Sequence, residues 1–163
     1  MKRNLRSMKT CSKRSLAWVP VTLWLVVIFL FSAQTGQDSG DTSAGIVRWV
    51  IGLLYSGFEE FSPEKQARIM STFHLVIRKG AHFTEFAVLA ALIANALRPV
   101  GKKWCLPVIL SGLYAVSDEL HQAFVPGRAC RLLDVGIDTA GAVCGTLLFA
   151  LGVYWIRKRR NKI

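Results

Sequence analysis

No acidic residue precedes Asp38 and none follows Asp138, although the 163-residue chain carries 21 Lys and Arg against ten Asp and Glu. Charge is scarce overall, at 19% of residues against 52% hydrophobic. That apolar share exceeds the roughly 45–50% of soluble globular chains and excludes a disordered tail. Cysteine is sparse too: Cys11, Cys105, Cys130 and Cys144 show neither metal-type spacing nor an even pattern within one segment. A disulfide-rich scaffold is therefore excluded, and all four read as unpaired. There is no G-x-S-x-G nucleophile motif, no phosphate-binding glycine loop, no internal repeat and no low-complexity tract. The basic segments lack aromatic interleaving and any reader motif, so the net charge of +11 does not point to nucleic acid.

What the chain has is long apolar runs. Leu16 to Ala33 is almost continuously apolar. It is about the length that crosses a hydrocarbon core of roughly 30 Å as a helix. It exceeds a signal-peptide core and lacks a clear small-x-small cleavage site, so it reads as a retained span over about 16–34. Further spans are expected over about 81–97, 104–124 and 135–156, the last containing Gly141-x-x-x-Gly145. Between the first two, Asp41-Thr42-Ser43 offers N-cap oxygens, and Ser62-Pro63-Glu64 a second helix start. Two interfacial helices are expected there. Six basic residues fall in 2–14, three in 98–103 and five in 157–162, with no acid in any of these segments. Short Lys/Arg-rich loops stay cytoplasmic. An even number of spans with both termini inside satisfies all three segments, and anionic inner-leaflet lipid gives them a use. The expected fold is an all-α membrane protein: one domain over residues 1–163, four transmembrane helices and two interfacial helices on the outer side.

In that topology the ionisable residues gather at one depth on the outer side. Arg78, His82 and Glu85 share a stripe of the second span, at spacings of four and three. Asp118, Glu119, His121 and Gln122 end the third, and Asp134 and Asp138 begin the fourth. Ionisable groups within a span cost about 2.5–3.5 kcal/mol each on insertion scales and usually mark function. A structural ion-pair network with Arg78, Arg128 and Arg131 is the plainer use, but locking four helices needs fewer charges. His82-x-x-Glu85 and Asp118-x-x-His121 are compatible with a divalent metal. Metal-free chemistry ranks first: a carboxylate orients an imidazole that moves a proton or acts as nucleophile, and arginines hold a phosphate. His121 is the first choice for base or nucleophile, oriented by Asp118 or Asp138. His82 with Glu85 would be the complementary acid, and Pro126-Gly127 is expected to turn Arg128 back toward the helix end bearing His121.

Four blocks, Phe31-Ser32-Ala33-Gln34-Thr35-Gly36, Arg78 to Phe86, Asp118 to Arg128 and Asp134 to Gly141, resemble the VanZ-like family of bacterial multi-pass membrane proteins. That family takes its name from an accessory protein of glycopeptide (teicoplanin) resistance. Phe86 stands where the family often has Tyr, and Ala129-Cys130 where small polar residues are usual. The resemblance implies a bacterial cytoplasmic-membrane protein associated with the cell envelope. His82, Glu85, Asp118, Glu119, His121, Gln122, Arg128, Asp134 and Asp138 match its motif positions. The family has been likened to membrane-embedded enzymes that exchange or remove lipid head groups. The leading expectation is accordingly a transferase or hydrolase acting on a lipid or lipid-linked precursor, with no cofactor and no nucleic-acid partner. In it Arg78, Gln122, Arg128 and Asp134 face the substrate, and His82, Glu85, Asp118, Glu119, His121 and Asp138 carry the chemistry. The alternative is a non-catalytic envelope protein that binds a lipid-linked precursor or the antibiotic.

Overall fold

The computed structural model describes residues 15–98 and 101–161, with Gly101 and Lys102 as backbone. The basic run at 2–14, Cys11, Pro99, Val100 and Lys162 lie outside the described residues. The fold is all-α: α1 (Val19–Ser32), α2 (Gly36–Leu54), α3 (Pro63–Leu97), α4 (Cys105–Gln122) and α5 (Leu132–Arg160), with 3-10 turns at Phe58–Glu60 and Gly101–Trp104. No strand occurs among the described residues.

Local chemistry sets the helix ends. The α1 to α2 junction bends by 104°. There Thr35 caps α2, its Oγ1 accepting from the Asp38 N–H at 3.2 Å. The helix therefore begins one and a half turns before Asp41-Thr42-Ser43, the cap expected from sequence, and those residues sit on the helix itself. Pro63 opens α3 with its fixed φ and missing N–H. The helix then runs unbroken for 35 residues, merging the expected second interfacial helix with the span expected from Ala81. Lys79-Gly80 does not interrupt it, because a lone helical glycine costs only about 1 kcal/mol relative to alanine. Arg98 ends the helix in the left-handed region, at φ 45°.

Packing centres on α3 against α5. A Cβ on Gly141 would lie 2.2 Å from the Phe83 carbonyl oxygen, and one on Gly145 1.9 Å from that of Ala87, so only glycine lets the two backbones meet. Asp138 lies on the same α5 stripe, one turn earlier. Val21, Ile28, Phe86, Leu89, Ile93 and Ala115 form the apolar core beside this seam. Two side-chain donors dock α1: Trp24 Nε1 donates to the Glu85 carbonyl and Tyr114 Oη to the Leu25 carbonyl, both at 2.9 Å.

Large apolar side chains cover the outside, among them Leu23, Leu30, Leu113, Leu120, Leu148 and Trp155. Two helices, α3 and α5, are long and apolar enough to cross a membrane, and the bent α1–α2 pair makes a third when taken as one span. The 18 residues of α4 are not among them, since its last two turns carry Asp118, Glu119, His121 and Gln122.

Candidate functional site

The chain folds back after α4 at Pro126-Gly127. Gly127 adopts φ 72°, and the Gly36 N–H donates to the Pro126 carbonyl at 3.1 Å. A Cβ on Gly36 would lie 2.3 Å from the Gly127 oxygen. The two glycines thus clamp the α1–α2 bend onto the α4–α5 loop. Arg128 completes the clamp: its Nε donates to the Gln34 carbonyl at 2.8 Å, its Nη2 to the Phe31 carbonyl at 3.0 Å and its Nη1 to Gln122 Oε1 at 3.2 Å. The carbonyls at the α1 C-terminus are among those a helix leaves without partners. Buried Gln122 passes the link on, its Nε2 donating to Asp118 Oδ2 at 2.9 Å. Burial lowers the Arg128 pKa from its ordinary value and neighbouring Arg78 lowers it further, while Asp118, Glu119 and Glu85 oppose them.

Arg128→Lys should therefore lower stability despite keeping the charge. A single ammonium cannot reproduce three donors in a fixed fork. Each lost contact is worth about 0.5–1.5 kcal/mol. A melting temperature below wild type in detergent is expected; an unchanged one would mean that the three contacts contribute nothing.

Inside the clamp lies a cavity of about 270 Å³. Arg78, His82, Glu85, Asp118 and Arg128 line it together with Ile28, Phe31, Ile46, Ile77 and Ala81, and Ser39, Thr42 and Ser43 of α2 face it at helical spacing. Arg78 and His82 also line a second cavity of about 170 Å³, with Lys79, Arg128, Arg131 and Asp134. The stripe of Arg78, His82 and Glu85 read from sequence thus faces one space.

His82 Nδ1 lies 3.6 Å from Asp138 Oδ1. Asp138 is fully buried, and neither of its oxygens, nor His82 Nδ1, has a hydrogen-bond partner among the described residues. At that separation a small ring rotation closes a hydrogen bond. Because Nδ1 faces Asp138, Nε2 is the ring nitrogen left for a ligand.

Of the other expected residues, His121 and Glu119 stand outside both cavities, and Asp134 lines only the second. His121 stacks on Phe29 with ring centroids 4.9 Å apart, and its Nε2 is buried without a partner. It lines neither cavity. Glu119 accepts from the Arg131 N–H at 2.8 Å, which holds the start of α5. Asp134 is ion-paired to Lys79, tying α3 to α5. Arg78 makes no hydrogen bond or ion pair of its own among the described residues. No set of three His, Cys, Asp or Glu arranged to hold a metal occurs among the described residues.

Sequence reasoning missed Lys79 and the serines and threonine of α2. Lys79 had a readable signal in its place three residues before His82, on the helix face that meets the start of α5. The α2 hydroxyls had only their i, i+3, i+4 spacing.

The folded bundle and its buried ionisable layer define a helical protein with apolar helices of membrane-crossing length. The VanZ/LLP1 family model matches residues 17–154, and the chain belongs to that family. Comparison with curated proteins and with solved structures finds no match.

Proposed function

We propose that this VanZ-like chain is a four-span protein of the bacterial plasma membrane that acts on a phosphate-bearing head group of a lipid or lipid-linked envelope precursor at the outer face. The observation that carries this reading is the cavity whose wall combines Arg78, His82, Glu85, Asp118 and Arg128 with Ile28, Phe31, Ile46 and Ile77. A lining that mixes charged and apolar side chains suits a molecule with an anionic end and an apolar chain. In this reading α1 and α4 cross alongside α3 and α5, while α2 lies at the interface. The basic segments at both termini and at 98–103 face the cytoplasm. The teicoplanin connection of the family would follow from altered envelope lipids.

His82 is the base. Asp138 fixes its tautomer through Nδ1, and Nε2 takes the proton of an attacking hydroxyl or water as that oxygen bonds to phosphorus. The leaving oxygen receives a proton from Glu85. Arg78, whose side chain has no acceptor among the described residues, holds the phosphate, and Arg128 and Gln122 keep Asp118 in place. Glu119 and Asp134 hold the start of α5.

Two measurements test the reading. In a cysteine-free background, Glu60→Cys should react with an impermeant thiol reagent in intact cells and Lys102→Cys only after permeabilisation. The reverse pattern would put the site on the wrong side. In proteoliposomes of bacterial envelope lipids, head-group release or exchange by the wild type is expected. Tight binding without turnover would instead identify a non-catalytic binder of a lipid-linked precursor or of a glycopeptide.

A further inference from the structure

Beside the cavity, α2, α3 and the α4–α5 loop enclose a groove of about 650 Å³ into which Arg48, Arg78 and Arg131 project, together with His74 and Ser43. Asp41 is the only acid lining it among the described residues. The three guanidinium groups come from three different elements, and none makes a side-chain hydrogen bond or ion pair among the described residues. This contrasts with Arg128, which has three protein acceptors, and with Lys79, paired to Asp134. Like charges gathered without partners repel, and planar guanidinium groups match phosphate oxygens two at a time. Ser43 is fixed by two contacts: its Oγ donates to the Gly40 carbonyl at 3.0 Å and lies 3.0 Å from His74 Nδ1. Since the hydroxyl hydrogen goes to Gly40, Nδ1 is the donor to Ser43. Ser39, Ser43 and Arg78 line both the groove and the His82 cavity, so the two spaces adjoin at these side chains.

We infer that the groove is a second anion subsite, so that the ligand carries two adjacent anionic groups, as a diphosphate does, one at Arg78 and His82 and the other between Arg48 and Arg131. This rests on the head-group reading above and narrows it, favouring a lipid diphosphate over a zwitterionic phospholipid.

The test measures binding of inorganic pyrophosphate, farnesyl monophosphate and farnesyl diphosphate to the full chain in detergent, for wild type, Arg48→Gln and Arg131→Gln. Wild type should bind the diphosphate lipid at least about tenfold more tightly than the monophosphate, the equivalent of one charge-assisted contact. Each variant should lose most of that preference while holding the monophosphate as before. Both arginines are exposed. Matched melting temperatures will separate lost binding from lost fold, and Arg→Lys variants give the same readout should a Gln variant melt early. Pyrophosphate bound by wild type and lost in the variants supports the subsite even if the farnesyl chain adds no affinity, in which case the ligand is a free diphosphate and the lipid reading falls. Diphosphate and monophosphate lipids bound equally, or unchanged binding in both variants, overturns the subsite while leaving the lipid reading standing. No binding of any of the three overturns both.

Discussion

Gly145→Leu is expected to unfold the bundle in mild detergent, whereas Gly152→Leu on the same helix should melt like wild type. At position 145 a Cβ would lie 1.9 Å from the Ala87 carbonyl oxygen, while at 152 it would meet nothing within 4 Å. Overpacking a core usually costs about 1–3 kcal/mol, because side chains move aside. Here the obstacle is helix backbone, so α3 and α5 themselves must separate, and the cost should exceed about 3 kcal/mol. The separation would also carry Asp138 away from His82, since Asp138, Gly141 and Gly145 form one stripe. Even Gly145→Ala should lower the melting temperature measurably. A Gly145→Leu protein that elutes and melts like wild type would show that the two helices do not touch at this seam.

His82→Gln should reduce head-group turnover by about 10²–10⁴-fold, the usual contribution of a positioned general acid or base, with little effect on folding. Glutamine preserves polarity and approximate length but cannot carry the proton. His121→Gln should reduce turnover far less, by under about tenfold, since that ring stacks on Phe29 and lines neither site cavity. Asp138→Asn should fall between the two, as His82 keeps its nitrogen but loses the group that orients it. If His121→Gln were the inactive variant and His82→Gln the active one, the base would be His121, and the cavity would not be the reacting space.

The contrast between the two histidines marks where sequence stops being informative. Spacing on one helix is legible: Arg78, His82 and Glu85 lie four and three residues apart, and they face one cavity. The Pro126-Gly127 turn and the Gly141/Gly145 seam were legible for the same reason, because glycine and proline carry backbone requirements wherever they occur. The facing of His121 depends on how α4 is rotated against α1, which no spacing within α4 records. Arg128 was expected to turn back toward the helix end bearing His121, and its Nη1 does donate to Gln122 there, but its Nε and Nη2 donate to two backbone carbonyls after α1 and at its end. Every residue has a carbonyl, so such acceptors leave no trace in residue identity. Helix boundaries misled in two places. Asp41-Thr42-Ser43 looks like a cap, but Thr35 precedes it with Asp38 in register, and α3 reads through Lys79-Gly80 because a lone helical glycine costs too little to stop it. The hydroxyls of α2 reached the cavity only because the chain bends by 104° after Ser32.

The most direct measurement is mass spectrometry of lipid that stays with the protein purified from bacterial membranes in mild detergent, for wild type and Arg78→Gln. Arg78 lines the His82 cavity and the neighbouring groove. It is also the guanidinium of the cavity wall with no acceptor among the described residues. Wild type should retain a phosphate-bearing anionic lipid, and Arg78→Gln should lose at least about tenfold of it, the equivalent of one charge-assisted contact. A wild-type protein that retains only zwitterionic lipid, or an anionic lipid held equally by Arg78→Gln, would contradict the assignment of this cavity as a head-group site.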